Sequence, residues 1–155
     1  MSLRFVIVAS IGLAACAGTR AAVTPVTAAA APAASAQGAK TQWDGVYTAE
    51  QAKRGEKLYA EKCSSCHGPD MNGGEMAPGL TGGEFTSNWN DLSLGDLFER
   101  MRISMPQNAP GSLSRQENAD ILSYILNKGN YPAGKAELPG QTEVLNGYKF
   151  VAVKP

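Results

Sequence analysis

The sequence predicts a mostly helical, all-α domain, on three observations. Three segments open on a Ser or Thr capping signal, apolar residues follow at helical spacing, and only residues 148–153 carry the pattern of a short strand. With 155 residues, 43% hydrophobic and 18% charged, the chain has the length of one domain and the composition of an ordinary soluble core. Its formal net charge of zero argues against nucleic acid as a partner.

The N-terminus reads as an export signal. Arg4 gives a positive start, residues 5–15 form an apolar run too short to span a membrane, and small residues follow. Two cleavage sites compete. Leu13-Ala14-Ala15-Cys16 resembles the lipobox of bacterial lipoproteins, which makes residues 1–15 the signal and Cys16 a lipid anchor, and accounts for an odd cysteine. Ala34-Ser35-Ala36 is an A-x-A signal whose cleavage after residue 36 releases a soluble periplasmic protein. Residues 16–40, rich in Ala, Thr and Pro, then form either a flexible linker or a signal tail.

The helices follow in order. Thr48 with Gln51 forms a capping box that opens a helix running through Gly55, Leu58 and Tyr59 into Cys63. Lys53, Arg54, Lys57 and Lys62 crowd it, either as a steering patch or as a solvated face balanced by Glu56 and Glu61. Ser93 with Asp96 opens a second, on which Leu94, Leu97, Phe98 and Met101 form one apolar face. Ser114 with Glu117 opens a third, apolar from Ile121 to Leu126 and ended by Gly129. The folded domain is therefore expected over residues 41–139, with residues 140–155 as a C-terminal extension.

Cys63-Ser64-Ser65-Cys66-His67 carries the chemistry. C-x-x-C-H is the sequence at which c-type haem is covalently attached: two thiols one helical turn apart reach the two vinyl groups, and the next residue is placed under the iron as a ligand. The alternatives are a redox dithiol, half a zinc site or a structural disulfide. Zinc lacks ligands, because the only other cysteine is Cys16 and His67 is the sole histidine, and no strand–helix alternation supports a thioredoxin-like site.

With these motifs in order, residues 43–139 resemble a bacterial class I c-type cytochrome, which implies the class I cytochrome c fold around one haem c bound through Cys63 and Cys66. Gly55, Tyr59 and Tyr124 match the positions where that family's first and last helices cross. Ala77-Pro78-Gly79-Leu80 resembles its P-x-L loop, which implies that the Pro78 carbonyl accepts the second ring N–H of His67 and that Leu80 packs on the haem. Residues 43–47, 85–89 and the phrase from Met105-Pro106 to Leu113-Ser114 further resemble cytochromes of periplasmic quinoprotein dehydrogenases.

One histidine excludes bis-histidine ligation, so the sixth ligand is sought among methionines. Met1 goes with the leader, Met71 and Met76 follow His67 too soon, and Met101 sits on an apolar helix face as core filler. Met105 precedes Pro106, which forces it out of the helix, and the family's M-P motif places the ligand there; Met101 is the alternative. Trp89 is either a donor to a haem propionate, as in related cytochromes, or a core residue. Arg100 and Arg102 are either propionate partners or solvated.

Six-coordinate iron suits one-electron transfer. The expected function is an exported electron carrier between a dehydrogenase donor and a cytochrome or oxidase acceptor. The alternatives are a haem enzyme or gas- or peroxide-binding protein with an open sixth site, and a fixed subunit docked on an enzyme.

Overall fold

The computed structural model describes residues 40–155. The signal segment, both cleavage sites, Cys16 and residues 16–39 of the linker lie outside the described residues. In order along the chain come strand β1 (Lys40–Thr41), a 3-10 turn (Gln42–Asp44), helices α1 (Ala49–Lys62), α2 (Ser64–His67), α3 (Gly82–Trp89), α4 (Leu94–Ser104), α5 (Arg115–Lys128) and α6 (Thr142–Leu145), and strand β2 (Tyr148–Lys149).

The caps act largely as the sequence predicts. Ser93 and Ser114 accept the amides of Asp96 and Glu117, whose carboxylates reach back to complete both boxes at the starts of α4 and α5. At α1 only half the box forms. Thr48 accepts the Gln51 amide at 3.1 Å, but the Gln51 side chain turns inward, donating to the Leu138 carbonyl at 2.9 Å and accepting the Leu138 N–H at 2.7 Å. A fully buried amide needs both partners, and a backbone segment supplies them where the helix terminus could supply one.

Helices α1 and α5 cross at the centre. A methyl group on residue 55 would lie 1.8 Å from the Asp120 carbonyl oxygen, so Gly55 is what lets the backbones approach. One turn on, the rings of Tyr59 and Tyr124 meet with centroids 5.6 Å apart. Arg54 does not pair with the glutamates of its own helix; it bonds Asp120 on α5 and Glu137, each at 2.9 Å. Leu94, Phe98, Leu122 and Leu126 are buried where α4 and α5 pack together.

Three features depart from the sequence reading. The stretch after the haem-attachment motif holds helix α3, which the sequence reading leaves out although Thr81 and Glu84 have capping-box spacing: it begins Gly-Gly and its N-cap Thr81 makes no side-chain bond. The strand expected over residues 148–153 shortens to β2, which pairs in parallel with β1, so Lys40 is already part of the fold. Residues set apart as a C-terminal extension pack into the same core, with Leu145 and Phe150 completely buried.

Candidate functional site

Helix α1 ends at Lys62, and Cys63 leaves helical geometry at φ −124° and ψ −35°. A single new turn, α2, then carries Cys66 and His67, whose amides both donate to the Cys63 carbonyl, at 3.1 and 3.0 Å. Both cysteines are free thiols, Cys63 half-buried and Cys66 exposed. The joint is fixed from α1 by Tyr59, whose hydroxyl donates to the Gly68 carbonyl at 2.6 Å. Burial, then the neighbouring Cys66, push the Cys63 thiol up to about 11. That is opposite to the thiolate stabilisation of a reactive dithiol at Cys63. Among the described residues no cluster of three or more His, Cys, Asp or Glu side chains is gathered to hold a metal ion, and the zinc reading gains no ligands.

His67 is buried, and its Nδ1 lies 2.8 Å from the Pro78 carbonyl oxygen. A carbonyl only accepts, so Nδ1 carries the hydrogen and Nε2 the lone pair of a metal-ligating imidazole. Among the described residues Nε2 has no hydrogen-bond partner, yet the only buried unpartnered side-chain atom among them is Asn118 Oδ1; Nε2 therefore faces space that they leave accessible.

The loop that brings Pro78 back to His67 is held by backbone bonds. Gly73 N–H donates to the His67 carbonyl at 2.9 Å, and Leu80 N–H to Met71 at 2.8 Å. Gly73 sits at φ +75°, and a methyl there would lie 2.4 Å from the Gly79 nitrogen, so this loop closes only around glycine. Met71, with no exposed surface, anchors it from inside.

The remaining site residues lie on other elements. Leu80 is half-buried and borders a cleft of about 280 Å³ that Phe85, Ile125 and Tyr131 also line. Trp89, at the end of α3, packs on Phe85 with ring centroids 6.3 Å apart. Its indole N–H makes no hydrogen bond among the described residues and is not buried, whereas the indole of Trp43 is engaged by the Val151 carbonyl. Met105 caps α4, its amide bonded to the Met101 carbonyl at 2.9 Å and its backbone extended at φ −120° and ψ 154°. Its side chain is half-buried; Met101 packs on the core, and Met76 is 75% exposed. The structure thus joins His67 to Pro78 directly and presents Leu80, Trp89 and Met105 from separate elements. Arg102 pairs with Glu99 on its own helix and Arg100 is exposed, as solvated arginines would be.

Sequence reasoning missed Asn118, whose amide donates to the carbonyls of Leu113 and Ser114 at 3.2 and 2.9 Å and so ties the loop after Met105 to α5. Its buried place on an otherwise apolar helix face was the available signal.

Two free thiols on one turn, an oriented imidazole with an accessible Nε2 and an unengaged indole N–H form a donor set that fits a covalently attached haem. No solved structure matches the chain. A protein-family model described as "Cytochrome C oxidase, cbb3-type, subunit III" matches residues 50–125, which run from the first turn of α1 into α5 and include the C-x-x-C-H motif, the Pro78 loop, Trp89 and Met105. Together with the helix-rich fold, this match supports a c-type cytochrome domain, a haem c electron carrier of the class I cytochrome c type.

Proposed function

We propose that the protein is a one-electron carrier with a single His/Met-ligated haem c. The observation that carries this reading is the bond from His67 Nδ1 to the Pro78 carbonyl beside two free thiols on one turn, because it fixes which imidazole nitrogen is left to ligate. Cys63 and Cys66 would hold the group covalently, His67 Nε2 and the Met105 thioether would be its axial ligands, and Leu80 and Trp89 would contact it. A haem bound there supplies exchange of one electron between ferrous and ferric iron. A Met105 thioether holding the iron would leave no place for oxygen or peroxide, and its neutral sulfur would favour the ferrous form.

The donor we propose is a periplasmic quinoprotein dehydrogenase, from the resemblance of residues 43–47, 85–89 and 105–114; the acceptor is another cytochrome or a terminal oxidase. The apolar leader and Cys16 support export to the periplasm, with a lipid anchor at Cys16. Among the described residues no helix is long and apolar enough to cross a membrane.

The purified protein should weigh one haem more than its polypeptide, lose that mass in Cys63→Ala/Cys66→Ala, titrate as a one-electron couple, and show no spectral change when its reduced form meets carbon monoxide. Prompt carbon monoxide binding would instead establish the open-site haem enzyme or gas-binding protein.

A further inference from the structure

The family match ends at residue 125, yet the chain beyond it is built into the neighbourhood of Trp89. Residues 148–152 form a central strip stitched on both edges. On one side β2 pairs with β1, and the buried Gln42 side chain donates to the Val151 carbonyl at 2.5 Å while accepting the Val151 N–H at 3.0 Å. On the other side the strip holds the three residues after Trp89. Asp91 N–H donates to the Phe150 carbonyl and Phe150 N–H to the Leu92 carbonyl, each at 2.8 Å, and Ala152 N–H donates to Asn90 Oδ1 at 2.7 Å.

The side chains continue the same path. Trp43, Tyr131, Phe150, Phe85 and Trp89 form a chain of ring contacts with centroids 4.7, 5.5, 6.0 and 6.3 Å apart. Phe150 is fully buried at its middle and meets Phe85 edge-on. Trp43 spends its indole N–H inside this assembly, on Val151. Trp89, at the other end of the ring chain, makes no indole hydrogen bond among the described residues.

We propose that residues 40–43 and 148–152 form a clasp whose role is to position Trp89, so that the reduction potential of the haem-loaded protein depends on the C-terminal strip. This rests on the haem reading above, with Trp89 as a propionate donor. The clasp fixes both the backbone from which the indole hangs and the ring on which it packs. An N–H aimed at a carboxylate offsets that carboxylate's field at the iron; when the indole is free to turn, the offset weakens and ferric iron is favoured.

The test is the midpoint potential of the full-length, haem-loaded protein and four variants. Trp89→Phe is expected to lower it. Phe150→Ala and the milder Asn90→Ala, which removes one surface bond of the clasp, are expected to lower it in the same direction, and Phe150→Ala added to Trp89→Phe should give no further shift, because both act through one indole. Asn90→Ala keeps the question open to measurement should Phe150→Ala fail to fold. Clasp variants that fold and keep the wild-type potential, shifts that add to that of Trp89→Phe, or a Trp89→Phe protein with unchanged potential would each overturn the proposal. A wild-type chain that carries no haem would instead overturn the reading beneath it.

Discussion

The ring of His67, its carbonyl and the carbonyl of the next residue, Gly68, are each tied to a different partner: Pro78, Gly73 and Tyr59. The tyrosine is the member that links the site to the rest of the core. Burial pushes its phenol up to about 12, so the hydroxyl stays a donor to the Gly68 carbonyl at any ordinary pH. Tyr59→Phe keeps the ring against Tyr124 and removes only that bond. Urea unfolding should show a loss of about 1 kcal/mol, the usual worth of one partly buried hydrogen bond; an unchanged midpoint would mean that water replaces the hydroxyl without cost. At this scale the sequence was informative where the motif is local. Cys63, Cys66 and His67 declare themselves by spacing, and Pro78 by its place in a known loop. Gln51 did not, because its partner Leu138 is 87 residues away and nothing local distinguishes a capping glutamine from one that clamps a distant loop.

The elements follow local chemistry where caps are strong. Boxes at Ser93 and Ser114 start α4 and α5 where the sequence puts them, and α3 escapes notice because Gly-Gly follows Thr81, whose capping spacing to Glu84 yields no side-chain bond. Beyond its cap, α4 is held to α6 by Glu99, which bonds Arg102 on its own helix and accepts the Thr142 hydroxyl at 2.9 Å. The Arg102 guanidinium first, and Thr142 second, hold the Glu99 carboxyl down at about 2 against its ordinary 4.5. A carboxyl whose folded value is depressed stabilises the fold fully above its unfolded value and loses that contribution as pH falls through the folded one. The capping carboxylates Asp96 and Glu117 are shifted in the same direction by Ser93 and Ser114. Stability should therefore decline between about pH 4.5 and pH 2, and Glu99→Gln should flatten that decline in acid titrations followed by circular dichroism. An acid limb of wild-type steepness in the variant would remove Glu99 from the account.

Across the whole molecule, the segment that resembles known cytochromes and the segment that folds are not the same length. The family match covers residues 50–125, while the described domain closes through pairs such as Gln42 with Val151, 109 residues apart. Fold class and three principal helices were legible because caps and apolar spacing are local. The clasp was not, because parallel pairing of two-residue strands leaves almost no pattern, and Phe150 reads in sequence like any apolar residue of a tail. The site divides along the same line: His67, its Pro78 partner and the two thiols are written in one run of residues and one loop, whereas the sixth ligand we propose lies where α4 ends. There the sequence offered a choice between two methionines, Met101 inside the helix and packed on the core and Met105 extended beyond its last turn. The most direct test of the account is the ferric absorption spectrum of the haem-loaded protein at the red end, where a methionine-ligated iron gives a weak band. That band is expected in the wild type and in Met101→Leu, and is expected to vanish in Met105→Ala. Its absence from the wild type, or its survival in Met105→Ala, would contradict a His67/Met105 electron carrier.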